Sequence, residues 1–176
     1  KQIAVMNNTQ KGWKNKDFLK HFCHKSHHNS SEYKKIEKFI EEYKLPFRVC
    51  ISLLSGYSVG FNAASRRGPM PSFRDGSFKV DNLESAKETA QRLIKLKSFV
   101  PNLVKIVKFS VAFIKISELE NFDLKTCYAQ IEKNSSKFDK CLNQEDWNEA
   151  MVRAYNYNLV TKGKRASKRI SIRKEG

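Results

Sequence analysis

Residues 103–117 carry the pattern that most constrains what this chain can fold into. Their β-branched and aromatic members are Val104, Ile106, Val107, Phe109, Val111, Phe113, Ile114 and Ile116. Such residues are enriched in strands. Because apolar side chains would fall on both faces of this strand, we expect it to lie at the centre of a sheet.

Other segments extend this pattern to a mixed fold. Residues 47–61 predict a bent strand or a hairpin, and 77–80 and 155–160 predict short β-segments. Helices are predicted over residues 17–28, over 32–44 after a Ser30 or Ser31 cap, from Asp81 through Lys97, after Asp123, and after an Asn143 cap. We therefore expect an α+β fold with a central, mostly antiparallel sheet and helices packed on it.

The chain length predicts one domain. We place a polar, basic N-terminal segment at 1–30, the core domain at 31–160 and a basic tail at 161–176. Both termini are expected to be mobile. The first residues lack the apolar run of a signal peptide. Lysines interrupt the most apolar stretch, so we predict no membrane span.

The charge of the chain indicates a polyanionic partner. Lysine and arginine number 34 against 18 acidic residues, a formal net charge of +16. An excess of this size raises the affinity for nucleic acid or for an anionic lipid surface. The predicted polyanion contacts are Lys162, Lys164, Arg165, Lys168, Arg169, Arg173 and Lys174, with Arg66, Arg67 and Arg74 in second place. The C-terminal run is also compatible with a nuclear-import signal or with a solvated tail.

Residues 62–76 predict a long loop rich in glycine, proline and arginine. Met70 and Phe73 in this loop are expected to be exposed. Flanked by arginines, they are candidates for insertion into a membrane interface or for contact with a second copy. The alternative is that Phe73 packs onto its own domain.

All four histidines lie between residues 21 and 28. On a helix, His21, His24 and His28 would share one face, so they are the candidate zinc ligands. The spacing matches no standard zinc finger, and we expect no metal and no cofactor. A polar linker and a pH-sensitive contact are the alternatives.

Cysteine usage and motif content argue against secretion and against catalysis. Cys23, Cys50, Cys127 and Cys141 are scattered, which indicates reduced thiols in a reducing compartment. The chain has no P-loop, GxSxG, HExxH or GxGxxG motif. A nucleophilic pair of Cys23 and His27 is conceivable, but no third group is predicted to orient it. We expect no enzymatic activity and no catalytic residue.

The segment from Phe109 to Ser167 resembles the C-terminal part of rhabdovirus matrix proteins, especially those of vesiculoviruses. The resemblance rests on the strand Ser110-Val-Ala-Phe-Ile-Lys-Ile116, the acidic turn at 118–123, Asn134-Ser-Ser-Lys-Phe138 and the basic segment 158–167. The chain lacks PPxY and PTAP motifs, and its densest basic run is C-terminal. A compact plant cytorhabdovirus matrix protein would suit the size.

The resemblance implies a structural virion protein that self-associates into a lattice. It would bridge the nucleocapsid, meaning RNA and nucleoprotein, to the anionic inner membrane leaflet and condense the nucleocapsid. It would lie in the virion and the host cytoplasm, peripheral at membranes, with nuclear entry open. The alternatives are a stoichiometric RNA-binding protein without a membrane role, of the nucleoprotein or silencing-suppressor type, and a small nuclease that uses the histidine cluster.

Overall fold

A computed structural model of the chain describes residues 12–56, 69–157, 159 and 169–171. Of these residues, 69% are helical and none lies in a β-strand. The predicted α+β fold with a central antiparallel sheet is therefore wrong, and the described part of the chain is all-helical. It divides into two compact units, Lys1–Ala86 and Lys87–Gly176.

Most of the segment that predicted the central strand forms a helix, α7, over Val107–Ser117. Its residues from Phe109 to Ile114 and Ile116 are buried, whereas Lys108 and Lys115 are exposed. A helix that is apolar on most sides is a core helix, and a short apolar run does not separate it from a buried strand. The seven-residue spacing of the two lysines equals two helical turns. In a strand the same lysines would point to opposite faces.

The other β predictions are corrected in the same way. Residues 47–54 of the predicted strand or hairpin are helical, and residues 57–61 lie outside the described part. Residues 77–80 are described and form no strand. Tyr155 is the last residue of a helix, which contradicts a β-segment there.

The described helices of the first unit are α1 (Asn15–Cys23), α2 (Ser30–Tyr43), α3 (Phe47–Leu54) and α4 (Met70–Asp75). Helix α2 packs against α1 and α3, and α4 packs against the same two helices. The fully buried ring of Phe73 lies 5.5 Å from Tyr33 and 5.1 Å from Phe47, measured between ring centroids. An aromatic cluster therefore forms the centre of this unit.

The remaining helices are α5 (Leu83–Phe99), α6 (Pro101–Val104), α7 (Val107–Ser117), α8 (Leu124–Lys133), a 3-10 helix (Ser135–Phe138) and α9 (Gln144–Tyr155). The boundary between the units falls within α5. In the second unit, α9 packs against α7, α8 and the 3-10 helix. Phe138 stacks on Trp147 and meets Phe109 edge-on, which fixes the 3-10 helix to the core.

Several predicted helices are confirmed, with adjusted ends. Asn143 caps α9, where its side chain accepts a hydrogen bond from the Asp146 amide. Asp123 caps α8 through the Thr126 amide. Helix α1 ends at Cys23, five residues before the predicted end. Among the described residues, no helix is long and apolar enough to cross a membrane.

Candidate polyanion-binding surface

Most of the predicted polyanion contacts fall outside the described residues. They are Arg66, Arg67, Lys162, Lys164, Arg165, Lys168, Arg173 and Lys174. Arg74 and Arg169 are described, and both are exposed. Arg74 belongs to the first unit and Arg169 to the second, so each is considered with its own unit.

The C-terminal basic segment is attached to the second unit by one buried asparagine. The Asn156 amide Nδ2 donates to the Ile170 carbonyl at 2.7 Å, and its Oδ1 accepts from the Ile170 amide at 3.0 Å. The Ile170 side chain is 3% exposed and belongs to the core. Ile170, which lies within the predicted tail 161–176, is therefore attached to the second unit.

Arg169 is held at the same place. Its Nη1 donates to the Leu159 carbonyl at 3.2 Å, across ten residues of chain. Its guanidinium is exposed and keeps further N–H donors for an anion. Residues 160–168, which hold four of the predicted contacts, thus connect two points that are both attached to the second unit. Sequence reasoning missed the attachment, because the two isoleucines Ile170 and Ile172 are too few to mark a buried segment within a basic run.

The second unit carries a further group of cations in a stretch of sequence that contains no acidic residue. No aspartate or glutamate occurs between Glu88 and Glu118. The exposed lysines of this interval are Lys95, Lys97, Lys105, Lys108 and Lys115. Their wide spacing hid them from a search for dense runs, and the lack of acids over some thirty residues is the signal that could have found them.

An aromatic side chain lies close to the attachment point. Tyr157 follows Asn156 directly and is 46% exposed. The Lys137 ammonium sits over its ring, 4.3 Å from the centroid. This is a cation–π arrangement, and it presents a ring and a positive charge together at the surface.

The loop prediction at residues 62–76 is corrected where the structure describes it. Met70 and Phe73 lie on helix α4, and Phe73 is 0% exposed. The expectation that Phe73 is exposed is wrong, and the stated alternative, packing onto its own domain, describes its position. Met70 is half-buried. The described part of the predicted loop, residues 69–76, presents no exposed aromatic ring that would support their predicted role in self-association or membrane contact.

The histidines are not brought together on a helix face. Helix α1 ends before His24, and residues 24–29 form turns, so His21, His24 and His28 lose the predicted spacing. No group of three histidine, cysteine or acidic side chains in the described part is arranged to hold a metal ion. His27 instead packs edge-on against Phe22, and its Nδ1 accepts from the Asn29 amide at 3.2 Å.

The described cysteines are unpaired thiols. Burial, followed by the nearby Glu37 carboxylate, raises the pKa of Cys23 to about 11. Burial also raises the pKa of Cys50 to about 12. An activated nucleophile needs a lowered thiol pKa, so the arrangement around Cys23 and His27 does not provide one.

Comparisons of the chain with protein-family models, with curated proteins and with solved structures found no match.

Proposed function

We propose that this protein binds single-stranded RNA stoichiometrically, with the basic C-terminal segment and the exposed cations of the second unit as the contact surface. The observation that carries the proposal is the attachment of Ile170 to Asn156. Leu159 and Ile170, on either side of residues 160–168, both contact the second unit, so the two ends of this basic run are fixed in position. Ordering such a segment on binding then costs less conformational entropy than ordering a free tail.

Two findings favour RNA over a membrane-bridging role. The strand that contributed to the matrix-protein resemblance, residues 110–116, is part of helix α7. The aromatic residue expected to enter the bilayer, Phe73, is buried. Self-association and binding to anionic membranes therefore become outcomes that the test must separate from RNA binding.

The test is a salt titration of RNA affinity with two matched variants. The first variant replaces five cations of the attached segment with glutamine: Lys162, Lys164, Arg165, Lys168 and Arg169. The control variant removes the same number of charges from exposed lysines of the first unit: Lys16, Lys25, Lys34, Lys38 and Lys79. Flotation with phosphatidylserine vesicles and light scattering are run on the same three proteins.

We expect tight, salt-sensitive binding of the wild-type protein to single-stranded RNA. Each phosphate contact on a single strand contributes about 0.7 to the slope of log K against log salt. The segment variant should lose a slope of about 3.5, corresponding to five contacts of about 0.7 each, and the control variant should change little. Equal losses in both variants, or flotation without RNA binding, would overturn the proposal.

A further inference from the structure

We infer that Tyr157 and Lys137 form a base-stacking subsite, in which the tyrosine ring stacks on an unpaired RNA base and the lysine contacts the adjoining phosphate. This inference rests on the proposed function and deepens it, because it gives the surface a preference for single strands over duplexes. The observation behind it is that the Tyr157 ring is partly exposed, has the Lys137 ammonium over it, and is followed along the chain by a basic segment.

The ring is held in place by its own backbone. The Tyr157 amide donates to the Ala154 carbonyl at 3.3 Å at the end of helix α9. The preceding residue, Asn156, is 9% exposed and is committed to Ile170 through both ends of its side-chain amide. Tyr157 therefore stands on a rigid part of the second unit, although 46% of its surface is open to solvent.

The lysine is held equally well. Lys137 lies on the 3-10 helix next to Phe138, which is 2% exposed. The Phe138 ring stacks on Trp147 with 5.8 Å between centroids and 15° between planes. This anchors the backbone of Lys137, while the four-carbon side chain keeps the freedom to move its ammonium from the ring to a phosphate.

Arg169 is a second cation connected to the backbone near this ring. Leu159 is two residues beyond Tyr157, and its carbonyl accepts the hydrogen bond from Arg169. The exposed guanidinium of Arg169 is thus tied to the backbone that follows the ring. A strand that stacks a base on Tyr157 would find a cation in Lys137 and another in Arg169.

These groups match the chemistry of single-stranded nucleic acid. Proteins that bind single strands combine a cationic track with aromatic rings on which bases stack. In a duplex the bases are stacked on each other and are closed off from a surface ring. A polyphosphate or an anionic vesicle offers charge but no base, so neither would use the ring of Tyr157.

The experiment measures affinity of the full chain by fluorescence anisotropy. The probes are a labelled uridine oligonucleotide of about twelve nucleotides, within the range of known single-strand sites, a duplex RNA of equal length, and inorganic polyphosphate. The variants are Tyr157→Ala, Tyr157→Phe as the matched control that keeps the ring, and Lys137→Gln. Circular dichroism checks that each variant is folded.

We expect Tyr157→Ala to weaken oligouridine binding roughly five-fold to a hundred-fold, the range found when a stacked base loses its ring. Its affinity for duplex and polyphosphate should stay unchanged, and Tyr157→Phe should behave as wild type. Lys137→Gln should reduce the salt slope by about 0.7, one phosphate contact on a single strand. Photo-cross-linking of a 4-thiouridine oligonucleotide to the wild-type protein should map to the peptide that contains Tyr157.

The failures of the two proposals are distinct. Wild-type protein that does not bind RNA in a salt-sensitive way overturns the proposed function, and this inference with it. Wild-type protein that binds RNA, with Tyr157→Ala binding oligouridine as tightly as Tyr157→Phe and no cross-link at that peptide, overturns the stacking subsite alone. Equal losses for oligouridine and duplex would also overturn it, because stacking acts only on unpaired bases.

Discussion

Each unit of this protein uses one asparagine to hold a distant piece of chain. In the first unit, the side-chain amide of Asn29 donates to the Gly76 carbonyl at 3.2 Å and to the Phe78 carbonyl at 2.8 Å. In the second unit, Asn156 both donates to and accepts from Ile170. Asn29 is part-buried and Asn156 is buried, so the loss of either leaves polar groups without partners.

The two attachments differ in what surrounds them. The segment held by Asn29 carries further contacts: Tyr33 donates to the Phe73 carbonyl at 2.6 Å, and the Val80 amide donates to Glu32 at 2.8 Å. Phe73 and Phe78 also bury their rings there. Among the described residues, the second attachment consists of the two hydrogen bonds between Asn156 and Ile170, the bond from Arg169 to Leu159 and the buried Ile170 side chain. The first attachment is therefore the more redundant of the two, whereas the hydrogen bonds of Ile170 come from one side chain.

The largest expected effect comes from removing the aromatic core of the first attachment. Phe73→Ala deletes a fully buried ring in contact with Tyr33 and Phe47. Such truncations cost about 3–5 kcal/mol through lost burial and a residual cavity. Urea unfolding should show this loss. Met70→Ser, at a half-buried position of the same helix, is the control and should cost much less. Equal and small effects would mean that Phe73 is exposed, as the sequence first indicated.

The second prediction concerns the attachment of Ile170 to Asn156, which is the less redundant of the two. Asn156→Ala removes both hydrogen bonds to Ile170 and should cost about 1–3 kcal/mol. We expect the loss to be local, because Asn156 lies at the C-terminal end of α9 and Ile170 lies in a segment beyond that helix. Hydrogen exchange should accelerate at Ile170 and leave the α7 amides protected.

The control for this variant is Asn102→Ala, an exposed asparagine of the same unit. It should change neither exchange nor stability. If Asn156→Ala leaves exchange at Ile170 unchanged, other contacts hold the segment and the contrast between the two attachments disappears. RNA affinity of Asn156→Ala should fall together with the protection of Ile170.

Five of the nine described α-helices, α1, α2, α5, α8 and α9, were predicted from the sequence, but the fold class was not. Asn143 and Asp123 cap helices as expected, because a side-chain acceptor three residues before a backbone amide is a local signal. Residues 107–117 were misjudged, because their burial comes from α9, a partner distant in sequence. The strand propensity of individual residues is a weak signal, and a buried helix can bury the same side chains as well as a strand would.

The candidate surface shows the same limit. The density of cations at 162–174 was visible in the sequence, but the role of Ile170 and Asn156 was not. Two isoleucines among lysines and arginines are too short a pattern to mark either of them as buried. Likewise, the sequence did not predict that Lys137, twenty residues before Tyr157, lies over its ring. The position of Lys137 depends on the packing of Phe138 against Trp147.

A smaller effect is expected where the attachment is redundant. Asn29→Ala removes two part-buried hydrogen bonds and should cost about 1–2 kcal/mol. Residues 76–80 should nevertheless stay protected from exchange, because Glu32, Tyr33 and the buried rings still hold them. Exchange that accelerates at Phe78 and Val80 to the degree seen at Ile170 in Asn156→Ala would show that the first attachment also depends on one side chain.

The smallest effect is a dependence of the first unit on pH. Burial, and then repulsion from His28 and His21, lower the pKa of His27 below the ordinary value of about 6.5. Its Nδ1 accepts a hydrogen bond from the backbone N–H of Asn29, and its ring contacts Phe22 and lies beside Gly76, whose φ is +86°. Protonation at Nδ1 would remove that acceptor and place a charge among aromatic rings.

A histidine whose pKa is lower in the folded chain binds fewer protons there than in the unfolded chain. The unfolding free energy therefore holds at its full value above about pH 6.5 and falls as the pH drops toward the lowered pKa of His27. His27→Asn keeps an acceptor for Asn29 without a titrating ring, so its unfolding free energy should fall less between about pH 7.5 and 5.5. The exposed His24 is the matched position, and His24→Asn should retain the wild-type dependence. The same slope in all three proteins would assign the acid sensitivity to carboxylates elsewhere and would leave the Asn29 attachment insensitive to pH.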